Sequence, residues 1–134
     1  MMIFIVIVLA VHVLSSVFWA GSAFVLARLS GLGGERLVYP QAGAAAVAML
    51  TGGYLWAALH DAGIGPAERV LLVGIAAALI AFAVQAFGGF AALVGLRRGQ
   101  LGEEPARKRI AMVQRVAAGF LAITVICMAV ARYV

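Results

Sequence analysis

The charged residues of this chain are confined to short stretches that separate long uncharged runs. Residues 1–27, 37–59 and 70–96 contain no Asp, Glu, Lys or Arg, giving runs of 27, 23 and 27 residues. A helix needs about 20 apolar residues to cross the roughly 30 Å hydrocarbon core of a bilayer. A fourth stretch, about 110–131, reaches that length if Arg115 extends its long stem toward the interface. Composition agrees: 66% of residues are hydrophobic and 11% charged, against about 45–50% and about 25% in soluble domains. A chain of 134 residues cannot enclose so much apolar surface in a water-soluble core. A soluble globular enzyme and a disordered chain are thereby excluded.

The expected fold is all-α: a single transmembrane domain over residues 1–134, with helices at about 3–27, 39–60, 69–96 and 110–132. Residues 1–10 contain no Lys or Arg, so the first segment reads as a membrane helix rather than a cleaved signal peptide. Glycines at 31, 33 and 34 separate helices 1 and 2, and Pro40 fits the first turn of helix 2. Pro66 and Glu68 open helix 3. The loops are short, about 11, 8 and 13 residues, which predicts an up-down-up-down four-helix bundle.

Orientation follows from the basic residues. Arg28, Arg36, Arg97, Arg98, Arg107, Lys108, Arg109 and Arg115 fall on one side, eight in all, against Arg69 and Arg132 on the other. Both termini are expected outside, with the basic loops in the cytoplasm. The net charge of +5 is read as this topology signal plus attraction to anionic lipid, not as nucleic-acid binding. The single cysteine, Cys127, precludes an intrachain disulfide and reads as a packing residue. Arg preference over Lys and abundant Ala, Gly and Val point to a bacterial cytoplasmic-membrane protein. Small residues at helical spacing, among them Gly74, Ala78, Ala81, Gly88 and Ala92 in helix 3, read as surfaces for close helix approach.

The polar inventory within the spans is small: His12, Ser15, Ser16, Ser22, Thr51, Gln85, Gln114 and Thr124, with His60 and Asp61 at the outer edge. No acidic residue lies at depth, which argues against a familiar proton-driven transporter. His12 is the one ionisable group well inside helix 1. Its ring either bonds a neighbouring helix or ligates a metal or haem. His12, Ser16, Trp19 and Ala23 share a face, and Met49, Gly53, Trp56 and His60 repeat the same spacings in helix 2. An imidazole, a thioether and an aromatic wall around a glycine gap suit a planar cofactor between helices. Equally, Met49 and Trp56 are ordinary packing residues and His60 an interfacial one. Counted from the inner helix ends, His12 and His60 differ in height by roughly 6 Å. That is compatible with two faces of a tilted haem or a shared copper ion. Met128 is an alternative thioether, and Asp61 a candidate to support His60. No CxxC, HExxH or phosphate-binding glycine loop is present.

The segment "VHVLSSVFWAGSAFVLARL" resembles the first helix of CopD-like membrane proteins and of HemJ-type protoporphyrinogen oxidases. The resemblance is carried by His12, Trp19, Gly21, Phe24 and the closing Arg28. For the HemJ-type proteins it extends to the four-helix layout with a basic loop after helix 3, whereas CopD-like proteins have more helices than four. It implies that His12 ligates haem b, while CopD-like proteins imply copper uptake or resistance. Two positions depart from the HemJ-type pattern: Arg69 replaces a Lys opening helix 3, and no acidic residue opens helix 4 in "RIAMVQRVAA". Both departures weigh against oxidase activity.

The expectation is therefore a small inner-membrane protein that binds haem b, or copper, between helices 1 and 2 for electron transfer or metal handling. His12, His60 and Met49 would be the ligands, Trp19 and Trp56 the walls, and Gln85 a hydrogen-bond donor from helix 3. A membrane redox partner or a second copy of the chain would complete it. The alternatives are a cofactor-free structural or assembly subunit and a copper permease.

Overall fold

A computed structural model describes all 134 residues. Four helices are long and apolar enough to cross a membrane: α1 (Met2–Arg28), α2 (Gly34–Leu59), α3 (Pro66–Arg97) and α4 (Glu103–Ala131). There are no strands. Only 28 of the 134 residues are buried, and large apolar side chains such as Leu14, Leu50, Phe87 and Met112 lie exposed on every helix. In water such a surface would aggregate; against acyl chains it is the expected exterior.

The helices extend further toward the basic end than the uncharged runs indicate. α2 starts at Gly34 rather than near 39, and α4 at Glu103 rather than near 110. The reason is local. Gly33, with φ at +81°, caps α2 from the left-handed region, and Glu35 sits in its first turn against the helix dipole. Pro40 accordingly lies inside α2 rather than in its first turn. Glu103 and Glu104 likewise favour the start of α4, and Glu104 pairs with Lys108 at 3.2 Å one turn on. The cluster Arg107, Lys108 and Arg109 is therefore helical. At α3 the Gly65 N–H donates to Glu68 Oε2 at 2.8 Å, with Pro66 in the first turn.

Cross-helix pairs fix the directions. Phe4 meets Tyr54 edge-to-face at 5.6 Å, His12 meets Ala48 and Ser22 meets Gln41, so α1 and α2 are antiparallel. Thr124 Oγ1 donates to the Gly74 carbonyl at 2.9 Å, and Gln85 meets Gln114, so α3 and α4 are antiparallel. α2 packs on α1, α1 on α4 and α4 on α3, whereas α2 and α3 barely touch. The result is a bundle with a cleft along one side.

The core is narrow and rich in alanine, with Ala23, Ala45, Ala81 and Ala117 around Trp19 and Leu121. Close approach replaces bulk, as helix association in lipid requires. The α3 stripe read from the sequence does this: Gly74 lies against Cys127 and Thr124, and Gly88 against Val113. α3 also contains one wide π-turn, Gln85–Phe90, in a segment that holds the adjacent pair Gly88 and Gly89.

The Gly88 contact generates a test. A Cβ at position 88 collides with Val113 Cγ2, a branched side chain with little freedom to move. Gly88→Ala is expected to destabilise the bundle by about 1–3 kcal/mol. In a Val113→Ala background the same change should cost much less. Unfolding titrations in mixed micelles on the four members of the cycle measure this; additive effects would show that the contact does not set the α3–α4 spacing.

Candidate functional site

Two polar layers lie inside the spans, one around His12 and one around three glutamines.

His12 projects from α1 onto α2 where Gly52 leaves room: a Cβ at Gly52 would sit 2.9 Å from His12 Cε1. Its Nδ1 lies 2.9 Å from the Ala48 carbonyl and 3.1 Å from Thr51 Oγ1. The Thr51 hydroxyl donates its one proton to the Val47 carbonyl at 2.6 Å. Both oxygens facing Nδ1 are therefore acceptors, and Nδ1 must carry the proton. Nε2 has no hydrogen-bond partner within the chain, and in the neutral ring it holds the lone pair. An N–H of this kind on a backbone carbonyl is also the usual way a ligating imidazole is held.

The other residues expected with His12 do not converge on it. His60 is the C-terminal cap of α2, stacks on Trp56 at 4.6 Å with 18° between the planes, and lies 3.2 Å from the Trp56 carbonyl through Nδ1. It stands eight residues beyond Gly52, about 12 Å further along the helix. The 6 Å height difference read from the sequence fails because α2 begins lower than the charge pattern indicates. The face of Met49, Gly53, Trp56 and His60 is also rotated about 100° from the Ala48–Gly52 face that meets α1. The glycine that receives the ring is Gly52, and His12 itself fills the gap. Met49 packs against the alanine core. Nowhere do three His, Cys, Asp or Glu side chains gather as metal ligands do. A haem between α1 and α2, clamped by His12 with His60 or Met49, therefore does not fit this arrangement. His12 is the one of the three whose ring is held by a neighbouring helix, α2, while a ring nitrogen stays without a partner.

Trp19 and Gln85 belong to the second layer. The Trp19 indole N–H donates to Gln85 Oε1 at 2.7 Å. Gln85 Nε2 donates to Gln114 Oε1 at 3.0 Å. Gln114 Nε2 donates to Gln41 Oε1 at 2.8 Å. Gln41 Nε2 donates back to Gln114 Oε1 at 3.1 Å and to Ser22 Oγ at 2.9 Å. The Ser22 hydroxyl donates to the Trp19 carbonyl at 3.0 Å, which closes the circuit. All five residues are buried, Gln114 with 1% of its surface exposed and Gln41 with 2%. No buried polar side-chain atom lacks a partner. Because indole only donates, Trp19 sets the direction of every bond in the ring.

Sequence reasoning placed Gln85 beside a cofactor and missed Gln41, which lies close to where helix 2 was expected to start. The signal was present: Val38, Gln41, Ala45 and Ala48 follow the i, i+3, i+7, i+10 spacing of a buried face.

Beside the glutamines lies a cavity of about 200 Å³ in the α2–α3 cleft, bordered by Gln41, Gln85, Gln114, Phe82 and Phe90. Toward the basic end the cleft is bridged: Tyr39 meets Phe90 edge-to-face at 5.5 Å, and the Arg97 guanidinium lies 4.9 Å from the Tyr39 ring centre.

No protein-family model matches the chain, and neither a curated protein nor a solved structure matches it.

The ring generates a second test. Gln114→Leu removes three hydrogen bonds and leaves Gln41 and Gln85 short of partners, whereas Trp19→Phe removes one. With about 0.6–1.7 kcal/mol per interhelical bond in a membrane, Gln114→Leu should be the more damaging by at least about 1 kcal/mol. Thermal unfolding in detergent measures the order; equal effects would show that the ring does not act as a unit.

Proposed function

We propose that this is a small bacterial cytoplasmic-membrane protein, an up-down-up-down bundle with both termini outside, that carries a haem b on His12 and serves electron transfer. The observation that supports it is the fixed imidazole. Nδ1–H is committed to the Ala48 carbonyl and Thr51 Oγ1, so the lone pair of Nε2 is available in one orientation, as an iron ligand requires. The eight-to-two distribution of basic residues supports the orientation. The resemblance of the first helix to CopD-like and HemJ-type proteins supports haem or copper as the bound group. His60 and Met49 lie away from His12, so a second ligand, where the haem takes one, would be supplied by another group such as a redox partner or a second copy. A bound haem would supply one-electron chemistry. The chain's own part is to hold the imidazole in one orientation through the Ala48 carbonyl and Thr51 Oγ1.

One observation favours a second reading, a cofactor-free assembly subunit. His12 already bonds α2 and fills the Gly52 gap, which is what a helix clamp does.

Visible spectra of the purified protein, oxidised and dithionite-reduced, with metal analysis on the same sample, separate the readings. Haem bands are expected, lost in His12→Ala and retained in His60→Ala. Copper without haem bands would move the case to metal handling. A colourless, metal-free protein from haem-replete cells would establish the clamp reading.

A further inference from the structure

The glutamine ring has hydrogen-bonding capacity that the chain does not use. Each amide nitrogen carries two protons. Gln41 Nε2 uses both, on Ser22 and Gln114. Gln85 Nε2 and Gln114 Nε2 each use one, so one N–H on each is left over. Both amides border the 200 Å³ cavity of the α2–α3 cleft, and both residues are at least nine-tenths buried.

Four properties define what fits. Two unused amide donors on the cavity wall call for a ligand with acceptor oxygens, such as carbonyls. Phe82, Phe90, Val38, Ala42 and Ala86 supply apolar walls without a charged group, so the ligand is neutral and rings pack well against it. The volume admits one substituted six-membered ring. Entry is from lipid, because α2 and α3 barely touch while the basic end is bridged by Tyr39, Phe90 and Arg97. The π-turn starts at Gln85 itself, and such turns recur at functional sites because the widened turn redirects side chains.

We propose that the α2–α3 cleft is a binding site for the head group of a membrane quinone, with the free amide N–H groups of Gln85 and Gln114 as the donors to its carbonyl oxygens. Phe82 and Phe90 flank the ring, and the isoprenoid tail leaves through the open side into the bilayer. This site is separate from His12 and stands whether or not the chain binds haem.

Trp19 reports on it directly, since its indole is bonded to Gln85. In a Trp56→Phe background Trp19 is the only tryptophan. Protein in phosphatidylcholine nanodiscs is titrated with decylubiquinone and its fluorescence followed against the quinone-to-lipid ratio. Saturable quenching is expected. Ala86→Leu, which fills the cavity without touching the ring, should raise the half-saturation ratio about tenfold or more. Gln85→Met, which keeps bulk and removes one of the two donors, should do the same, with its helicity and melting checked in parallel. Linear quenching identical in the parent and in Ala86→Leu would overturn the proposal, leaving the cavity as a water pocket. A phospholipid retained in native mass spectra and not displaced by decylubiquinone would overturn it in favour of a lipid site.

Discussion

The closed circuit through Trp19, Gln85, Gln114, Gln41 and Ser22 is the interaction on which the bundle depends. In lipid there is no hydrophobic drive to bring helices together, so close packing and interhelical hydrogen bonds decide the arrangement. α1, α3 and α4 approach through alanine and glycine. α2 has intimate backbone contact only with α1. What joins it to α4 is Gln41, through its paired amide bonds with Gln114, together with the packing of Gly34 against Ile110 at the basic end. Every helix contributes to the circuit, and each amide is oriented by its neighbour, so the ring specifies one rotational setting of the four helices where an all-alanine core would allow several.

The two polar layers do different work. The His12 layer belongs to α1 and α2 alone, and its imidazole is held by groups that can only accept. The glutamine layer ties the whole bundle and borders the open cleft. Trp19 lies seven residues from His12, about 10 Å along α1, which places it in the lower layer rather than as a wall beside the imidazole.

How far the sequence is legible follows from the periodicities involved. Four spans and their all-helical character are readable because charged groups are excluded from hydrocarbon, so their positions mark the membrane. Helix starts are not readable from charge, because charged residues are themselves helical in the first turns, Glu35 after Gly33 and Glu103 and Glu104 after Gly102. That shift of about five residues misplaces Gln41 and brings His60 spuriously close to His12. The pairing of Trp19 with Gln85 is a contact across 66 residues, for which local spacing holds no information. The face of helix 1 that carries His12 and Trp19 is readable, but which helix each one meets is decided by the tertiary arrangement.

The circuit is built from indole, carboxamide and hydroxyl groups, none of which gains or loses a proton in the physiological range. No carboxylate or amine takes part in holding the four helices in register. The hydrogen bonds of this circuit are therefore independent of the acidity on either side of the bilayer. For a chain that spans a membrane, that separates the register of the core from the protonation of the groups at its two ends.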